Sequence, residues 1–130
     1  MSSLFTQIIA GEIPSHRVYE DDTTFAFLDI NPRQPGHTLV VPKIEVDYLF
    51  DLPEASYTSL WRAVNTVAAG LKVATKCQRV AVLVLGYEIA HAHVHLIPSN
   101  SLSDIPFPPI DEVAKGRLAE TADKIRDALA

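Results

Sequence analysis

Residues 91–97 read His-Ala-His-Val-His-Leu-Ile. Side chains on a β-strand alternate between its two faces. As a strand, this segment sends His91, His93 and His95 to one side and Ala92, Val94 and Leu96 to the other. One face is apolar and suited to cover by a helix. The other is open and filled with imidazole. At this chain's own histidine frequency, about 0.007 such arrays are expected by chance. A chain carrying this segment must therefore build a sheet that is covered on one side and presents three rings on the other.

The remaining sequence supplies that sheet. Leu4 to Ala10 is a short apolar stretch closed by Gly11 and reads as a helix of two turns. His16 to Glu20 and Thr24 to Leu28 are strands separated by Asp21-Asp22, a hairpin pattern. The segment Asp29 to Gly36 holds two prolines, an asparagine and a glycine and is a loop. His37 to Pro42 is a third strand. Pro53 opens a long helix, with Asp51 a candidate cap and Glu54 suited to the positive end of the helix dipole. Its buried face is Tyr57, Leu60, Trp61, Val64, Val67, Ala68 and Leu71. Val80 to Leu85 is a near-continuous apolar run and is expected to be a central strand covered on both faces. Ile89 to Ile97 is the fifth strand, Ser101 to Pro109 a proline-rich loop, and Asp111 to Leu129 a final helix. The order predicts a single α+β domain over residues 1–130, with a five-stranded, mostly antiparallel sheet and two main helices.

Composition excludes several classes. The 130 residues carry 16 acidic and 11 basic side chains, a net charge of −5, so nucleic acid is not an expected partner. The longest apolar run, residues 80–86, is far short of the ~20 residues that cross a bilayer. The N-terminus lacks the basic start and apolar core of a secretory signal. Cys77 is the single cysteine, which excludes an internal disulfide and fits a reducing cytoplasm.

Three chemical readings of the histidines compete. The rings are solvated and inert, or they share a metal ion with His37 or a carboxylate, or one of them is a nucleophile. A neutral imidazole can attack phosphorus, and water can then cleave the phosphoramidate. Neighbouring rings fix the tautomer and bond the phosphoryl oxygens. The middle ring, His93, is the natural nucleophile because it has a partner on each side.

The array resembles the motif of the histidine-triad (HIT) family. Ile8 to Pro14, Tyr19 to Asp22, Ala26 to Pro32 and Pro35 to Lys43 are similar to the family's N-terminal half, in the same order. The likeness spans about residues 4–98 and leaves residues 99–130 without guidance. It implies a small nucleotide-binding hydrolase or nucleotidyl transferase acting at the α-phosphate of a purine nucleotide or nucleotide conjugate. The conjugate would be a nucleoside phosphoramidate or a dinucleoside polyphosphate. It implies no cofactor, and a homodimer whose two sheets join, with the helix Tyr57 to Leu71 and the strand Val80 to Leu85 as candidate interface. By the same resemblance, His93 attacks phosphorus, His95 bonds the phosphate oxygens, His91 assists the leaving group, and His37 supports the triad. Asp29 holds the ribose hydroxyls, and Ile13, Phe27 and Ile30 wall the base. A nucleotide-binding regulatory module and a histidine-based metal protein are the alternatives.

Two departures from the family pattern stand out. Many relatives carry a zinc-binding Cys-x-x-Cys pair near the N-terminus and, with it, a histidine after the Pro-Lys; here the positions are Ser3, Thr6 and Glu45. No resident metal is therefore expected. Relatives also have Gly-Gln-x-Val before the first histidine, where this chain has Gly86-Tyr87-Glu88-Ile89-Ala90. Glu88 is expected close to the phosphates.

Overall fold

The computed structural model describes residues 2–105 and 107–130. Helix α1 spans Leu4–Ile9, and Ser3 caps it by accepting from the Thr6 amide. Strands β1 (Arg17–Glu20), β2 (Thr24–Leu28) and β3 (Thr38–Pro42) follow, then the long helix α2 (Glu54–Thr75) and strands β4 (Arg79–Leu83) and β5 (Val94–Ser99). The chain ends in α3 (Glu112–Lys115) and α4 (Leu118–Leu129). The strands form one sheet in the order β1-β2-β3-β5-β4, with every neighbouring pair antiparallel. The α+β architecture with a five-stranded sheet is as the sequence implies.

Pleating sorts the side chains into two cores. Ala26, Val40, Val94 and Leu96 pack with Leu60, Ala63, Val64, Val67 and Leu71 of α2. Phe25, Phe27, Leu39 and Val41 lie on the opposite face, with Phe5 and Ile8 of α1. The histidines sit on this second face, at the end of the α1 core.

Four expectations need correction. The run from Val80 is not a central strand: β4 is a sheet edge, and Val82 is 49% exposed. An apolar run of this kind also suits an edge that another surface covers. The fifth strand starts at Val94 rather than Ile89. Its ladder with β3 closes at Val40↔Val94, and two residues on, Pro42 has no N–H to offer. The preceding amides turn elsewhere, Ala92 to the Val46 carbonyl and His91 to the Ile89 carbonyl. Asp51 does not cap α2; it lies in the 3-10 turn Leu49–Asp51, and Pro53 stands at the cap position without a side-chain bond. The final helix is broken at Gly116-Arg117 into α3 and α4, as a glycine inside a helical stretch permits. Its apolar residues Leu118, Ile125 and Leu129 are exposed.

Gly36 shows how the loop before β3 is held. Its φ is +89°, and an added Cβ would meet Thr75 Cγ2 at 3.0 Å and Pro98 Cγ at 3.2 Å. Both the backbone and the space demand glycine. Gly36→Ala is expected to destabilise the fold by about 1–3 kcal/mol, read as a lower urea midpoint at unchanged slope. A midpoint equal to the unsubstituted protein's would contradict this packing.

Candidate active site

His37, His91, His93 and His95 come together, but not as three rings on one exposed strand face. Only His95 lies within β5; His91 and His93 occupy the bend before it. The alternation still holds in outcome. Ala92, Val94 and Leu96 are 2%, 0% and 0% exposed, and the two aligned on the ladder pack against α2. The histidine side is not open, however: His91 is 0%, His93 7% and His37 2% exposed. Phe5 of α1 covers it, with its ring edge-on to His91 at 5.8 Å and to His93 at 5.0 Å. Rings this buried are not merely solvated.

Each ring has its protons fixed by a group of known polarity. A carbonyl only accepts and a backbone amide only donates. His93 Nδ1 stands 2.8 Å from the His91 carbonyl, so Nδ1 carries the hydrogen and Nε2 keeps a bare lone pair. His37 Nδ1 accepts the Arg33 amide at 3.0 Å, so its proton is on Nε2. That proton goes to His95 Nδ1 at 2.9 Å, which leaves the remaining His95 hydrogen on Nε2. His91 Nε2 donates to the Pro42 carbonyl at 2.7 Å, and its Nδ1 accepts from Ser3 Oγ at 2.7 Å. Among the described residues, this pattern of tautomers leaves one ring nitrogen with an unengaged lone pair, His93 Nε2, and one with an unengaged N–H, His95 Nε2. The centroids of these two rings are 5.2 Å apart.

Burial is the first cause of depressed basicity here. It pushes His37 and His91 down from the usual imidazole range and His95 down to about 4, with charged-ring repulsion from His93 and His37 adding to the last. These three rings are neutral at pH 7, so His95, whose Nε2–H is unengaged, meets an anion as a hydrogen-bond donor rather than as a cation.

The other expected site residues divide. Asp29 reaches the cluster: Oδ2 is 3.6 Å from His37 Nε2, and Oδ1 accepts the Asn31 amide at 2.8 Å. Phe27 is 4% exposed, against Phe5 at 5.5 Å, so it is core beneath the site rather than an open wall. Ile13 is half-buried against the same core, and Ile30 is 80% exposed on the loop after β2. Glu88 is exposed and makes no hydrogen bond or ion pair to the histidines among the described residues. The resemblance gave His91 to the leaving group; its ring is fully buried with both nitrogens bound within the protein.

A metal is not favoured at the cluster. Asp29, His37 and His95 bring ligand atoms within 4.8 Å of one another. Two nitrogens on one tetrahedral zinc stand about 3.3 Å apart, whereas His37 Nε2 and His95 Nδ1 are 2.9 Å apart, the distance of a hydrogen bond.

Sequence reasoning missed a neighbouring feature. A cavity of about 460 Å³ runs from His93 and Ala92 to Trp61, lined also by Tyr48, Phe50, Val82 and Leu85. The Trp61 Nε1–H is buried with no acceptor among the described residues. The exposed aromatics Tyr48 and Phe50 were the available signal.

The fold and the four-histidine cluster define one class: the chain belongs to the HIT family. The HIT domain matches residues 10–102. The chain is 40% identical over 103 residues to a HIT-like protein of Methanocaldococcus jannaschii, covering 73% of this chain and 77% of that one. It is 35% identical over 110 residues to the purine nucleoside phosphoramidase of Escherichia coli, covering 77% and 89%. A HIT-family crystal structure from Bacillus subtilis superposes with a TM-score of 0.86 at 28% identity, over 100% of this chain and 99% of that one. Among the described residues, no helix is long and apolar enough to cross a membrane.

The depressed rings make stability pH-dependent. Unfolded imidazoles take up protons below about 6.5, while the folded His95 does so only near 4. The stabilisation is fully present above the unfolded value and is lost as pH falls across that window. The thermal midpoint of the unsubstituted protein is expected to fall more between pH 7 and pH 4.5 than that of His95→Gln; equal slopes would contradict it.

Proposed function

We propose that the protein is a nucleotide hydrolase that cleaves a nucleoside 5′-phosphoramidate through a nucleotidyl-histidine intermediate on His93. The observation that carries this reading is the bond from His93 Nδ1 to the His91 carbonyl, which leaves Nε2 as a bare nucleophile. The phosphoramidase relative supports the substrate class.

The lone pair of His93 Nε2 attacks the α-phosphorus. The bond from phosphorus to the leaving nitrogen breaks, and its electron pair departs with the amine, which takes a proton from solvent. A neutral imidazole cannot give up its N–H without becoming an anion, so none of His37, His91 and His95 supplies that proton. The nucleotidylated His93 ring is now cationic, and its Nδ1–H bonds the His91 carbonyl more strongly. The free Nε2–H of His95 bonds a phosphoryl oxygen as charge develops there. Water then attacks phosphorus, loses a proton to solvent, and returns the pair to Nε2. Asp29 accepts from the two ribose hydroxyls, a good match for a carboxylate. The base lies along Ile30 and Ile13 above Phe27, an apolar slot with weak base selectivity.

The active unit is a homodimer joined along β4. The edge strand, the exposed Val82 and Leu85, and the orphaned Trp61 N–H all lie together, and the cavity they line reaches His93. Burying that edge would pair its backbone and cover its apolar side chains. Val82→Lys is expected to give a monomer by light scattering at micromolar concentration, against a dimer for the unsubstituted protein. The free thiol of Cys77 is buried and suits a reducing cytoplasm.

Catalysis is tested with adenosine 5′-phosphoramidate. His93→Ala is expected to lose at least about 10³-fold in kcat, and acid-labile adenylylated protein should appear in a rapid quench of the unsubstituted enzyme only. Binding without turnover would leave a nucleotide-binding module in its place.

A further inference from the structure

Ser3, Thr6 and Glu45 meet His91 at the end of α1. Ser3 Oγ is 2.7 Å from His91 Nδ1 and 3.3 Å from Thr6 Oγ1, and Thr6 Oγ1 is 3.5 Å from the same ring nitrogen. The Thr6 hydroxyl and the Ser3 amide both donate to Glu45 Oε1 at 2.7 Å. These are the positions at which the family resemblance implies a zinc site. The residues present do not fit one. Two neutral hydroxyls replace thiolates, and structural zinc takes sulfur, imidazole or carboxylate.

Donor and acceptor roles in this cluster follow from the groups whose polarity is fixed. Glu45 accepts and cannot donate while ionised, and the Ser3 amide and Thr6 hydroxyl hold its carboxyl below the usual range. Thr6 spends its one hydroxyl hydrogen on Glu45. The Pro42 carbonyl, 2.7 Å from His91 Nε2, only accepts, so the neutral His91 ring carries its proton on Nε2 and Nδ1 is an acceptor. Ser3 Oγ accepts the Thr6 amide at 3.0 Å, and of the two acceptors within reach of its own hydrogen, Thr6 Oγ1 at 3.3 Å and His91 Nδ1 at 2.7 Å, the ring nitrogen is the nearer. With the ring fixed, the His91 carbonyl is aimed at His93 Nδ1.

We propose that Ser3, Thr6 and Glu45 form a metal-free hydrogen-bond clip that locks His91 and, through the His91 carbonyl, orients the His93 ring. Ser3 and Glu45 are positioning residues for His93 and touch no substrate. The clip ties the N-terminal helix to the bend that carries the nucleophile. It does with four side chains what a metal ion would otherwise do, and it makes nucleophile orientation independent of metal supply.

The consequence for turnover rests on the function proposed above; the consequence for the His91 proton does not. Ser3→Gly keeps most of the helix cap, since glycine costs only a few tenths of a kcal/mol at that position, but it removes the hydroxyl. Ser3→Thr restores it. With adenosine 5′-phosphoramidate as substrate, Ser3→Gly is expected to lower kcat about tenfold with KM unchanged, and Ser3→Thr to recover it. Glu45→Gln should fall in between. In ¹H–¹⁵N spectra the slowly exchanging His91 Nε2–H should persist in the unsubstituted protein and in Ser3→Thr, and exchange away in Ser3→Gly. A Ser3→Gly protein with the original kcat and an intact His91 signal overturns the clip. So does one stoichiometric zinc in the purified protein whose removal by chelator lowers the thermal midpoint. If the unsubstituted protein shows no turnover, the proposed reaction fails while the His91 signal still decides the clip.

Discussion

An imidazole can be a nucleophile at one nitrogen only if its proton is held at the other. Here a 2.8 Å contact between His93 Nδ1 and the His91 carbonyl holds it. The rest of the structure supports that contact. The carbonyl is aimed by a bend whose amides are tied to Ile89 and Val46, and whose His91 ring is bound at both nitrogens. Burial lowers the basicity of His37, His91 and His95. Phe5 lies edge-on to His91 and His93, so the aromatic cover that closes the core also closes the site.

The sheet explains why two opposite tasks fit in one small chain. One face is aliphatic and closed by α2, which fixes β3 and β5 from behind. The other face changes character along its length, from Phe25, Phe27 and Val41 under α1 to the histidines. Register links the two halves, since Leu39 stands opposite His95 and Phe27 opposite Leu39. The middle of the sheet is thus both the rigid floor and the site, and the loops at Asp29–Gly36 and 89–93 hang their functional groups from it.

Much of this was legible in the sequence because side-chain period is local information. The apolar set Ala92, Val94 and Leu96 and the helical stripe from Leu60 to Leu71 follow from spacing alone. What period cannot show is where a ladder ends. The fifth strand reads as starting at Ile89, yet Pro42 on the partner strand limits it, and partner strands are unknown until the sheet is assembled. Val80 to Leu85 reads as central because an apolar run does not itself say whether its strand lies inside the sheet or at the edge. Ser3, Thr6 and Glu45 read only as missing ligands. The hydrogen bonds that tie Ser3 to Glu45 and to His91 span 42 and 88 residues of chain, which no local pattern encodes.

The central claim is a statement about protons, and ring ¹⁵N shifts report it directly. In the ligand-free protein the neutral His93 ring should carry its hydrogen on Nδ1 and leave Nε2 bare, and His95 should be neutral at pH 7 with its hydrogen on Nε2. A neutral His93 ring with its hydrogen on Nε2 would contradict the account.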